Sequence, residues 1–103
     1  MDKSEALRIS KLYIDAISNK YSVLQAFLFG SFAKGTFHED SDIDIAVVIG
    51  SAADIIDTQI DMMKLRRKVD LRIEPHPFVS HDFNIDNPVV NEILKYGIRI
   101  QTN

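Results

Sequence analysis

Three aspartates and a Gly-Ser pair carry the chemistry legible in this chain. Gly30-Ser31 closes an apolar run from Leu24 to Phe29. Asp42 and Asp44 head a second apolar run that ends at Ile49, and Asp70 opens a third, Val69 to Ile73. Side chains two apart on a strand share a face and lie about 6.6 Å apart along it. Asp42 and Asp44 therefore point the same way, a spacing suited to two metal ions about 3.5–4 Å from each other. Mg²⁺ is a hard ion that takes one or two carboxylates and fills its shell with substrate phosphates. Gly30 has no side chain, so a phosphate can approach its backbone. Ser31 adds a hydroxyl and an N–H at the predicted start of a short helix, where anions are favoured. The set predicts a site for two Mg²⁺ ions and a nucleoside triphosphate.

A lone Asp-x-Asp is common and usually belongs to a turn. The pattern Gly-Ser, ten residues, then Asp-x-Asp is rarer: roughly one random chain of this length in a thousand would carry it. Its context is also right, with a strand, Gly-Ser, a short helix and turn, and a strand bearing the aspartates. Gly30-Ser31 through Asp42-Ile43-Asp44-Ile45 resembles the signature of the DNA polymerase β-like nucleotidyltransferase superfamily. Within it the chain resembles the minimal nucleotidyltransferases, often the antitoxin half of HEPN–MNT toxin–antitoxin pairs.

The resemblance covers nearly the whole chain, residues 1–103, as a single minimal nucleotidyltransferase domain. It implies that Asp42 and Asp44 hold both Mg²⁺ ions and that Asp70, the third acidic residue, also binds metal, the three together being the catalytic set. Gly30 and Ser31 would hold the phosphates. Many members carry Arg where this chain has Phe32, so Lys34 is the cation expected near the phosphates. The implied reaction transfers AMP from ATP to a hydroxyl, expected to be a tyrosine of a HEPN toxin. Two other readings stay open: transfer to a small molecule such as an antibiotic, and a non-catalytic module that masks a toxin. Either homo- or hetero-oligomers are compatible with the chain.

Length and composition agree with one small enzyme core. The chain has 103 residues, 46% hydrophobic and 26% charged, an ordinary globular balance. No apolar run approaches the roughly 18 residues of a membrane span, and Met1-Asp2-Lys3-Ser4-Glu5 has no signal-peptide pattern. Cysteine is absent, which excludes disulfides and thiolate metal sites and fits an expected cytoplasmic location. The net charge of −3 supplies no basic footprint for nucleic acid.

The remaining elements must position the site. Asp2-Lys3-Ser4-Glu5 predicts a capping box, followed by Ala6, Ile9, Leu12, Tyr13, Ala16 and Ile17 at helical spacing. Ser51 predicts the cap of a second helix, from Ala52 to about Lys68. Asn87-Pro88 predicts a helix start and Gly97 its stop, with Ile98-Arg99-Ile100 as a short closing strand. Gly30-Ser31 ends strand one and Asp42-Asp44 begins strand two. For both to meet at one site, those strands must run antiparallel. Asp70 begins strand three, parallel to strand two, with the long helix as a right-handed crossover. The expected fold is α+β: a small mixed β-sheet with helices packed on one face, a polymerase β-like nucleotidyltransferase core. Ile43, Ile45, Val47, Val69, Leu71 and Ile73 are expected to face the helices. Asp42, Asp44, Asp70, Arg72 and Glu74 are expected on the open side. His38, His76 and His81 read as loop residues, and Phe27, Phe29 and Phe83 as core.

Overall fold

The computed structural model describes residues 1–102. Asp2 starts the first helix, α1 (Lys3–Ile17), by accepting from the Glu5 N–H at 2.8 Å. Its buried side chains are Ala6, Ile9, Ser10, Tyr13, Ile14 and Ile17, one stripe at helical spacing. The buried Ser10 hydroxyl is satisfied by the Ala6 carbonyl at 2.7 Å. Strand β1 (Val23–Phe29) leads into the one-turn helix α2 (Ser31–Lys34), and strand β2 (Ile43–Ile49) follows. Helix α3 (Ile55–Leu65) tightens into a 3₁₀ turn, Arg66–Lys68, before strand β3 (Ile73–Val79). A second 3₁₀ turn (Ser80–Asp82), helix α4 (Pro88–Tyr96) and strand β4 (Ile98–Ile100) complete the chain.

The sheet order is β3-β2-β1-β4. β1 is antiparallel to β2 and β4, and β2 is parallel to β3, as the chemistry required. Ile43, Ile45, Val47 and Ile49 turn one sheet face toward α1 and α3 and share a core with Tyr13, Ile14, Ile17 and Met62. The Tyr13 hydroxyl donates to the Met62 carbonyl at 2.8 Å, tying α1 to α3 inside that core. The fold is the expected α+β arrangement. The opposite face is open only in part. Phe27, Phe29 and Ala46 pack there with Ile93 of α4, beside Phe78 and Phe83. Phe27 and Phe29 are buried as expected, whereas Phe83 is half-buried and stacks on Phe27, with centroids 5.7 Å apart.

Three local expectations are corrected. Helix α3 is capped by Asp54, not Ser51, because the Asp54 carboxylate accepts from the N–H groups of both Ile56 and Asp57. Asp70 does not begin β3: it lies in the turn ahead of it, and Leu71 is 66% exposed rather than turned to the helices. The strand instead starts at Ile73 and runs through Pro75, His76 and Pro77, which are therefore not loop residues. Proline is tolerated there because β3 is an edge strand and both prolines sit at positions that face away from β2. The outward carbonyls of that edge are not bare. Arg66 donates to the Ile73 carbonyl at 2.9 Å and Gln59 to the Pro75 carbonyl at 3.3 Å.

Candidate active site

The β1 end and the β2 start meet because Phe29 pairs with Asp44 across the antiparallel ladder. Gly30 follows directly, with φ +72°, the left-handed region that favours glycine. A Cβ built on Gly30 would lie 2.4 Å from Asp44 Oδ2. Only glycine therefore lets the Asp44 carboxylate stand against the β1–α2 backbone. Gly35 ends α2, also in the left-handed region (φ +78°), and its N–H donates to the Ser31 carbonyl. The connector to β2 is held by the buried Ser41. Its hydroxyl accepts from the His38 N–H at 2.9 Å, and its own N–H donates to the His38 carbonyl at 3.0 Å. Those bonds deliver Asp42 to the mouth of the site. His38 itself is exposed, a loop residue as read from the sequence.

Gly30 and Asp44 thus meet at the strand junction, with Ser31 next in the chain and Asp42 two residues ahead of Asp44. Phe32 is buried and stacks on Phe37 at 4.8 Å. Lys34 is not directed freely at the cradle. It pairs with Glu92 of α4, and its ammonium lies 5.3 Å from the Tyr96 ring centroid. Asp70 is gripped by Arg72, which donates through Nε at 2.9 Å and Nη2 at 2.6 Å, with the Arg72 N–H adding a third bond. The Arg72 bonds hold the Asp70 carboxyl below its ordinary range, against the opposing effect of its partial burial.

The β3 residues that stand beside the site are Glu74 and His76. Glu74 is in register with Asp44, and its carboxylate accepts from Arg66 at 3.2 Å. His76 Nε2 lies 3.1 Å from Asp44 Oδ1. The sequence contained a signal for both, in the alternation Ile73-Glu74-Pro75-His76, but the two prolines concealed the strand.

No three of the described Asp, Glu and His side chains form a ready cage for a metal ion. The donors at the strand junction are hard carboxylate oxygens, Asp42 and Asp44, on one strand end beside an open backbone. That set fits Mg²⁺ held jointly with substrate phosphates.

The polymerase beta nucleotidyltransferase family profile matches residues 13–103, and the chain belongs to that family. It is thus a nucleotidyltransferase. The Methanocaldococcus jannaschii protein named "Putative protein adenylyltransferase MJ0141" is 26% identical over 101 residues, 93% of this chain and 99% of that one. Among solved structures, one described as a "toxin-antitoxin with AMP-PNP" superposes with a TM-score of 0.67 at 23% identity. It covers 92% of this chain and 73% of that one. A Sulfolobus solfataricus chain named "putative nucleotidyltransferase" superposes at 0.70 with 16% identity, covering 98% of this chain and 84% of its own. These two likenesses bear on the fold.

Proposed function

We propose that this protein is a Mg²⁺-dependent adenylyltransferase of the minimal antitoxin type, acting on a helical HEPN toxin in the cytosol. The observation that carries the reading is the close approach of Gly30 to Asp44, which sets a carboxylate directly against the β1–α2 backbone. The name of the M. jannaschii relative and the toxin–antitoxin likeness support the partner class.

Asp42 and Asp44 hold Mg²⁺ together with the triphosphate. The metal, when bound, neutralises phosphate charge and lowers the barrier to displacement at phosphorus. Gly30 and Ser31 receive the β- and γ-phosphates through the backbone and the Ser31 hydroxyl. A tyrosine hydroxyl of the toxin attacks the α-phosphorus. The new O–P bond forms, the α–β phosphoanhydride breaks, pyrophosphate leaves, and the hydroxyl proton passes to a carboxylate. By resemblance that carboxylate is Asp70, which must first release Arg72. Glu74 is the alternative, in register with Asp44. Lys34 reaches the phosphates only by leaving Glu92. Such catalysis rests on positioning and charge neutralisation.

The test is neutralisation of the toxin's RNase activity by wild type and by Asp42→Asn, each with and without ATP. Neutralisation that needs both ATP and Asp42 supports the proposal. Equal neutralisation by the variant without ATP leaves masking by contact as the mechanism.

A further inference from the structure

His76 stands at the centre of β3, and its backbone is unusually constrained. Pro75 and Pro77 flank it, each with a fixed φ, in a strand paired residue by residue with β2. Its ring is fixed from a second direction. The Phe29 ring meets it edge-on, with centroids 5.0 Å apart and planes at 66°. Phe29 is in turn the β1 residue that pairs with Asp44. One aspartate is therefore bracketed by two neighbours that also hold each other.

The contact with Asp44 defines the direction of the hydrogen bond. A carboxylate only accepts, so Nε2 must carry the proton that it donates to Oδ1 at 3.1 Å. The other oxygen, Oδ2, is the one that faces the Gly30 backbone. The two oxygens of Asp44 thus have different surroundings: Oδ1 is restrained by an imidazole and Oδ2 lies on the cradle side. Without that restraint a half-exposed aspartate rotates about its side-chain torsions, and ordering it on metal binding costs entropy.

We infer that His76 is a positioning residue: it holds the Asp44 carboxylate in the rotamer that presents Oδ2 to a metal ion bound with nucleotide. The inference rests on the metal-dependent reading above. The role assigned to His76 runs through its contact with Asp44. Its two contacts separate its roles, because a glutamine keeps a donor near Nε2 and loses the ring, whereas a phenylalanine keeps the ring against Phe29 and loses the donor.

The test compares wild type, His76→Gln, His76→Phe and Asp44→Asn. Mn²⁺ binding is followed by electron paramagnetic resonance with a non-hydrolysable ATP analogue present. His76→Phe should weaken Mn²⁺ binding by about 10–100-fold, and His76→Gln should stay within about threefold of wild type. Equal weakening in both variants, or weakening in His76→Gln alone, overturns the inference in favour of ring packing. Asp44→Asn separates the two levels: if it binds Mn²⁺ as wild type does, the metal reading falls and the inference with it. A second measurement needs no His76 variant. Imidazole ¹⁵N spectra of the metal-free wild type should show a proton on Nε2 whose signal shifts in Asp44→Asn. A ring protonated on Nδ1 alone overturns the inference.

Discussion

At the residue scale the account rests on Gly30, Asp42 and Asp44. Asp42→Asn and Asp44→Asn each remove a charge with little change of shape. Each should lower nucleotidyl transfer by a hundredfold or more, on the order of 3 kcal/mol of barrier, while far-UV circular dichroism and the melting temperature stay near wild type. Steady-state rates under saturating Mg²⁺ check this. The two left-handed glycines offer an internal comparison. Gly30→Ala meets both an unfavourable φ and the Asp44 carboxylate, whereas a Cβ on Gly35 meets nothing within 4 Å. Gly35→Ala should cost about 1 kcal/mol of stability, and Gly30→Ala about 2–3 kcal/mol together with most of the activity. Urea unfolding of both variants measures the difference. The motif residues were legible because their spacing matches a strand–turn–strand unit. The partners of Lys34 and Asp70 were not, since Glu92 lies on a helix distant in sequence and the turn at Asp70–Arg72 looks like a strand start.

At the element scale, α3 is the crossover that places β3 beside β2. Its anchor to the α1–β1 connection is Asp61, which accepts from Lys20 at 2.7 Å and from the Tyr21 hydroxyl. The Lys20 bond, then the Tyr21 bond, holds the Asp61 carboxyl below its usual range. Burial, reinforced by Asp61, pushes the Tyr21 hydroxyl up to about 12. A carboxyl depressed by folding stabilises the fold at pH values above its unfolded pKa, and that stability is lost as pH falls through the folded value. Wild type should therefore lose stability more steeply in acid than Asp61→Asn, a difference that thermal melts across the carboxylate range will show. The antiparallel run of β1 and β2 was legible from the need to bring Gly30 and Asp44 together; the place of β4 beside β1 was not. The extent of β3 was not. Pro75 and Pro77 read as breakers until the strand is known to lie at an edge, and edge position is a property of the assembled sheet.

At the scale of the whole molecule, charge and shape decide how nucleotide enters. The chain carries a net charge of −3, and the proposed site places Asp42 and Asp44 where a triphosphate would bind. ATP binding should depend steeply on Mg²⁺, and Ser31→Ala should weaken it by about 1–2 kcal/mol. Calorimetry with Mg²⁺ and with excess chelator gives the comparison; equal binding in the two would contradict the account. The sheet face opposite α1 and α3 is covered in part by Ile93 of α4 and by the aromatic group around Phe83. The partial cover on that face was not read from the sequence. Phe27 and Phe29 were legible as core and Phe83 was not legible as half-buried, because the layer they fill depends on where α4 docks.

The central claim is transfer of AMP to a toxin, driven by Asp42 and Asp44. Intact mass spectrometry of a candidate HEPN toxin partner, after incubation with this protein, Mg²⁺ and ATP, tests it most directly. Mass gains in steps of about 329 Da, one AMP unit each, are expected, and they should vanish with Asp42→Asn, with Asp44→Asn or with chelator. A toxin that is neutralised while its mass stays unchanged would contradict it.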